Sequence, residues 1–115
     1  MSPAPGTGGI LGLLGLGYRG RLVVVGVDAV RAEVQAGRAR CVVLAADASP
    51  RAIEKVMRLA KAKGVPLVAG PPAAAIGEQF GKPPVMAVGV RDRGLADGIV
   101  RSAPAVRDVQ DRRSR

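Results

Sequence analysis

Six consecutive apolar residues, Cys41-Val42-Val43-Leu44-Ala45-Ala46, constrain this chain more than any other feature. The run does not alternate, so as a strand it presents apolar side chains to both faces of a sheet and must be covered on both. Three further runs of β-formers accompany it: Leu22–Val25, Val65–Ala69 and Pro84–Val90. Between them lie segments with helical spacing. Val27, Val30 and Val34 recur at i, i+3 and i+7, with Asp28, Arg31 and Gln35 on another face, and Gly37 closes the helix. Ser49-Pro50 supplies an N-cap and a first-turn proline for a second helix. Its buried face is Ile53, Val56, Met57 and Ala60, and Gly64 ends it. Ala73–Phe80 is a small-residue helix stopped by Gly81, and Leu95–Val100 predicts a short last helix. Ile10, Leu11, Leu13, Leu14 and Leu16 predict a first helix, although the glycines among them each cost about 1 kcal/mol against alanine.

Strands alternating with helices give an α/β layer sandwich with a largely parallel sheet. Such folds bind ligands beyond the carboxyl ends of their strands. Here that edge gathers Gly26–Asp28, Asp47–Pro50 and Gly70–Pro72. With 115 residues the chain holds one domain, expected over residues 9–102. Residues 1–8 and 103–115 carry too little apolar pattern to fold and are expected to be disordered tails, the second of them basic.

Composition removes several kinds of chemistry. There is no histidine, hence no histidine general base or metal ligand, and the lone Cys41 permits neither an internal disulfide nor a cysteine-built zinc site. No stretch is long enough for a membrane span. Gly9–Gly17 is apolar, but it is short, glycine-rich and preceded by no basic residue, so it makes a poor signal peptide. A cytoplasmic, reduced protein is expected. Lys+Arg 18 against Asp+Glu 9 gives a formal charge of +9, which favours polyanionic partners.

Individual motifs have bland and sharp readings. Gly15-Leu16-Gly17-Tyr18-Arg19-Gly20 spells G-x-G-x-x-G, but it follows a helical stretch and enters a strand, the reverse of the dinucleotide-binding context. Asp28 and Asp47 sit near strand ends, where capping is the simpler role than acid–base or metal chemistry. Cys41 reads as a small core residue. Arg51, Lys55, Arg58 and Lys61 form one helix face, either solvated or following phosphates. Arg31 falls in the first turn of a helix at the functional edge.

Three stretches together resemble a known family. They are Leu13–Arg19 running into Leu22–Gly26, Val30–Pro50, and Gly64–Val68 through Ile76-Gly77 and Phe80-Gly81. The middle one carries the pattern A-G-x-A-x-x-V-V-L-A-x-D-A-S-P between two helices. The chain is similar over about Leu11–Val100 to the kink-turn-binding ribosomal protein superfamily of L7Ae, L30e and S12e, and most of all to its short bacterial YlxQ-like branch. The resemblance implies a three-layer α/β/α sandwich with a small, largely parallel mixed sheet that binds structured RNA. It implies recognition of a kinked duplex by a G-x-N-E-x-x-K segment opening the second helix, and an apolar loop after the third strand covering a splayed nucleotide. A-form RNA hides its deep groove, so proteins read such opened elements. In this chain the segment is Gly26-Val27-Asp28-Ala29-Val30-Arg31-Ala32. The glycine matches. Asp28 replaces the asparagine and only accepts hydrogen bonds when ionised. Ala29 replaces the glutamate and Ala32 the lysine, with Arg31 one position earlier as a substitute cation.

The expected RNA surface is therefore Gly26, Val27, Asp28 and Arg31 with the apolar, backbone-exposing loop Gly70-Pro71-Pro72, and Arg51 as an added phosphate contact. The expected function is that of a small, monomeric, non-catalytic RNA-binding protein, associated with ribosomal or other structured RNA. No cofactor, metal, membrane or small-molecule substrate is expected. The alternative is a protein-interaction adaptor on the same fold that has lost standard kink-turn recognition.

Overall fold

The computed structural model describes residues 7–102. Residues 1–6 and 103–115, where the two tails were expected, lie outside the described residues. The elements run in order α1 Thr7–Arg19, β1 Val23–Val25, α2 Val27–Gln35, β2 Cys41–Leu44, α3 Pro50–Lys63, β3 Leu67–Ala69, α4 Ala73–Phe80, β4 Ala87–Val90 and α5 Arg93–Ser102. Helix α1 begins at Thr7, two residues inside the segment expected to be a tail. Full burial of Ile10 and Leu14 outweighs the glycine cost that argued against it. Helix α5 is also longer than Leu95–Val100, because Asp92 Oδ2 accepts the Leu95 amide at 2.9 Å and starts the helix earlier.

The four strands form one sheet in the order β1-β4-β2-β3. β2 and β3 are parallel, whereas β4 lies antiparallel to both β1 and β2. The sheet is thus mixed, as expected: β1, β2 and β3 run in one direction, and β4, lying between β1 and β2, runs against them. The cause is the connection into β4. A parallel strand requires the chain to cross to the opposite edge of the sheet. Here the chain leaves α4 and runs straight back along it, with the Lys82 amide donating to Gly77 O at 2.8 Å and the Val85 amide to Ala73 O at 3.0 Å. It re-enters at the edge it left, so β4 must run in reverse. The strands are also shorter than the apolar runs. Ala45 and Ala46 leave the ladder, their amides donating to Met86 O at 2.8 Å and Pro71 O at 3.0 Å.

Both faces of the sheet are covered. Cys41, Val43, Val88 and Val90 face Ile10, Leu14, Ile76, Phe80 and Ile99 of α1, α4 and α5. Val42, Leu44 and Ala87 face Val30, Val34 and Val56 of α2 and α3. All four residues of β2 are buried, as the non-alternating run requires. The two aromatic rings stack between α1 and α4, Tyr18 on Phe80 with centroids 4.4 Å apart. The G-x-G-x-x-G string lies within and just after α1 and serves packing. A Cβ at Gly17 would meet Leu95 Cδ2 at 2.5 Å and Val23 Cγ1 at 2.8 Å. Cys41 is a buried core residue, its thiol pushed up to about 12 by burial and by the charge of Asp97.

Among the described residues one carboxylate is buried, and it belongs to none of the sites expected from the sequence. Glu33 is 3% exposed and lies at the far end of α2. Its Oε2 accepts Arg91 Nε at 2.7 Å and Arg38 Nε at 3.0 Å. Arg91 foremost, and Arg38 after it, hold the Glu33 carboxyl below its ordinary range against the opposing effect of burial.

Candidate functional site

β1, β2 and β3 all end at one edge of the sheet, where β4 begins. Backbone bonds tie the exits together: the Gly26 amide donates to Ala87 O at 2.9 Å and the Gly70 amide to Leu44 O at 2.8 Å. Three helices start here, and side chains cap two of them. Ser49 Oγ accepts the Ala52 amide at 3.2 Å and caps α3. Asp47 Oδ1 accepts the Ala73 amide at 2.8 Å and caps α4 across the loop, confirming the capping role for this aspartate.

Helix α2 is different. Its N-cap is Gly26, at φ 103°, a backbone region that other residues rarely adopt, and no side chain caps the helix. Asp28 makes no capping bond; it stands exposed beside Ala29 on the first turn. The first amides of α2 are therefore available to an incoming acceptor, and a helix N-terminus favours an anion. Gly26 and Val27 are half-buried beside it.

Arg31 is the fifth residue of α2 and sits in the second turn, not the first, because the helix starts at Val27. Its side chain reaches toward α3. Arg31, Arg51, Glu54, Lys55, Arg58, Leu59 and Ala62 line an open cleft of about 520 Å³ between the two helices. Arg31 Nε is enclosed there and has no hydrogen-bond partner among the described residues. Arg58 Nη2 donates to Glu54 at 3.0 Å, an exposed pair that offsets one of the four cations. Lys61, the last member of the basic face read from sequence, does not line the cleft. The sequence placed Arg31 and Arg51 in one site. It also set Arg51, Lys55, Arg58 and Lys61 on one helix face, either solvated or following phosphates, but gave no sign that Arg31 meets that face.

The Gly70-Pro71-Pro72 loop departs from expectation. Gly70 and Pro71 are buried and only Pro72 is exposed. The Gly70 amide and the Pro71 carbonyl are both used internally. A Cβ at Gly70 would meet Val43 Cγ1 at 2.5 Å, so this glycine answers a packing need. The loop also lies on β3, at the opposite end of the strand order from β1 and α2. Three strand spacings of about 4.8 Å separate them, roughly 14 Å. It is a rim of the edge, not part of the cationic cleft.

Among the described residues no three of His, Cys, Asp and Glu stand together as a metal site, and no helix is long and apolar enough to cross a membrane. Residues 12–100 match the model of the ribosomal protein L7Ae/L30e/S12e/Gadd45 family. The chain belongs to that family. It is 36% identical over 88 residues to the RNA-binding protein YlxQ of Bacillus subtilis, covering 76% of this chain and 88% of that protein. Its fold is similar to a Bacillus halodurans protein of unknown function, with TM-score 0.76 and 27% identity over 80% of this chain and 93% of the other. It is also similar to the 15.5 kD RNA-binding protein of Giardia lamblia, with TM-score 0.67 and 25% identity over 81% and 83% of the two chains.

Proposed function

We propose that this family member is a small non-catalytic RNA-binding protein that recognises structured, kink-turn-like RNA, ribosomal RNA included, at the carboxyl edge of β1 and β2. The observation that carries the reading is the cleft of Arg31, Arg51, Lys55 and Arg58 between α3 and α2, a helix whose start no side chain caps. Helix amides and adjacent guanidiniums together make an acceptor site for phosphate oxygens. The names of the Bacillus subtilis and Giardia lamblia relatives support RNA as the ligand. In this reading Gly26, Val27 and Asp28 contact the RNA backbone, Arg31 and Arg51 bind phosphates, and Pro72 borders the site.

The test compares a kink-turn RNA with a plain duplex in one buffer. Arg31→Ala keeps a good helix former in α2 and removes a cation, so affinity for the kinked RNA falls and the log–log salt slope shrinks by about 0.7–0.9. Asp28→Asn, Ala29→Glu and Ala32→Lys together restore the family pattern on positions that are all exposed. Each recovered polar contact contributes on the order of 1 kcal/mol, so the triple variant gains about tenfold or more on the kinked RNA alone. No gain in the triple variant, together with unchanged binding by Arg31→Ala, refutes this surface.

A further inference from the structure

We infer that the opposite edge of the sheet is a second RNA-backbone surface, built from Arg21, Arg38, Arg40, Arg91 and Arg93. The inference takes RNA as the ligand from the reading above, but nothing of the position of that site. All five side chains belong to exposed residues, and the sheet register brings their backbones together. The Arg91 amide donates to Leu22 O at 2.8 Å, next to Arg21, and the Arg40 amide donates to Val90 O at 2.6 Å, next to Arg91. Arg93 opens α5 two residues further on.

Two of the five are held in place. Arg38 and Arg91 each present Nε to Glu33 Oε2 and Nη2 to Oε1, so one buried carboxylate orients both guanidiniums from the side. A guanidinium has five N–H donors, and this fork uses two. The remaining donors stay with side chains that are 62% and 44% exposed. The pair keeps a net positive charge and loses less freedom on meeting an anion, as a preorganised binding group should. Of the other carboxylates on this side, Asp92 is engaged at the start of α5, and Asp97 stands on the next turn of that helix. The cluster uses arginine alone, the cation whose planar fork matches phosphate oxygens. Arg21 adds an independent sign. It has φ 61°, the only non-glycine residue with positive φ among those described. Glycine would hold that conformation without strain.

Two variants test the surface on plain duplex RNA by titration over a range of salt. Arg40→Gln with Arg93→Gln removes two side chains that make no internal ion pair among the described residues. The salt slope should fall by about 1.4–1.8, the equivalent of two phosphate contacts, with a several-fold loss of affinity, in the parent and in the Arg31→Ala background alike. Arg21→Gly should raise the melting temperature or leave it unchanged while weakening duplex binding, which a purely structural arginine would not do. Unchanged affinity and slope in both variants overturns the inference. So does loss of binding to an acidic peptide with duplex binding intact, which would assign the edge to a protein partner. An effect of these variants on the duplex, with kinked-RNA binding unchanged by Arg31→Ala and not gained by the triple variant, would keep this surface and refute the one at the α2 start.

Discussion

Gly77 lies inside α4, where helix propensity alone predicts that alanine stabilises the fold by about 1 kcal/mol. The structure reverses the sign. A Cβ at Gly77 would collide with the carbonyl oxygen of Pro83 and would meet Lys82 O at 2.7 Å and the Pro83 carbonyl carbon at 2.7 Å. All three are backbone atoms, so no rotamer change relieves the contact. The 82–84 segment must retreat by close to 1 Å to reach ordinary separations of about 3.5 Å. That segment is pinned at both ends by the Lys82–Gly77 and Val85–Ala73 hydrogen bonds. Overpacking of this kind costs about 1–3 kcal/mol and each weakened bond about 1 kcal/mol more. With both bonds weakened and the propensity gain of about 1 kcal/mol set against these costs, Gly77→Ala should destabilise by about 2–4 kcal/mol, lowering the melting temperature by roughly 4–8 °C per kcal/mol for a domain of this size. The control is Gly12→Ala in α1, where nothing lies within 4 Å of the added Cβ. It should be neutral or stabilising by up to about 1 kcal/mol. Thermal and denaturant unfolding of the two variants decides the matter. If Gly77→Ala is as stable as the parent, the packing of 82–84 on α4 is not as described, and the explanation for the reversed β4 fails with it.

Other perturbations have equally definite outcomes. Leu44→Ala empties a site in the central strand that is 4% exposed and should cost about 2–5 kcal/mol in chemical unfolding; a change below about 0.5 kcal/mol would contradict its placement. Glu33→Gln should destabilise by about 1–3 kcal/mol, toward the lower value because both arginines are partly solvated. The folded Glu33 carboxyl is held below 4.5, so its contribution is complete above that pH and drains away as pH falls through the lowered value. The acid limb of a stability–pH curve should therefore be shallower in Glu33→Gln, and an unchanged limb would exclude Glu33 as its source. Cys41 behaves oppositely: its thiol is raised from 9.0 to about 12, so stability is complete below pH 9 and declines as pH rises from there toward 12. Thiol labelling at pH 8 should be far slower in the native protein than in denaturant, and equal rates would contradict its burial.

The sequence makes legible what local pattern determines. The run at Cys41, the Ser49-Pro50 cap and the i, i+3, i+7 valines of α2 each specify an element by themselves, and all three elements stand where they were placed. The direction of β4 could not be read, because it depends on a backbone segment, 82–86, that has no side-chain pattern of its own. Burial of Gly70 and Pro71 escaped for a similar reason: Gly-Pro-Pro reads as an exposed turn unless the neighbouring β2 carbonyl and the Val43 side chain are in view. Within the site, Arg31 and Arg51 sit on different helices with no shared local pattern, and only the packing of α2 beside α3 puts them in one cleft. Glu33 was legible in principle. It lies three residues after Val30 and one before Val34, on the flank of the buried stripe, with Arg38 five residues on.

The reversed fourth strand also sets the order in which this chain can acquire its structure. β1 and β2 do not touch through hydrogen bonds; each pairs with β4, Val23 and Cys41 both facing Val90. A nascent chain can form α2, β2, α3 and β3 as a right-handed parallel unit as soon as they emerge. β1 meanwhile has no strand to pair with. Only when residues 87–90 leave the ribosome does one strand slot between the two and close the sheet. The pairing with the longest sequence separation therefore comes last, the arrangement that slows folding most. Until then the valines of β1 and the open side of β2 are exposed together, which makes the interval before synthesis of β4 the one in which this small domain is most prone to self-association.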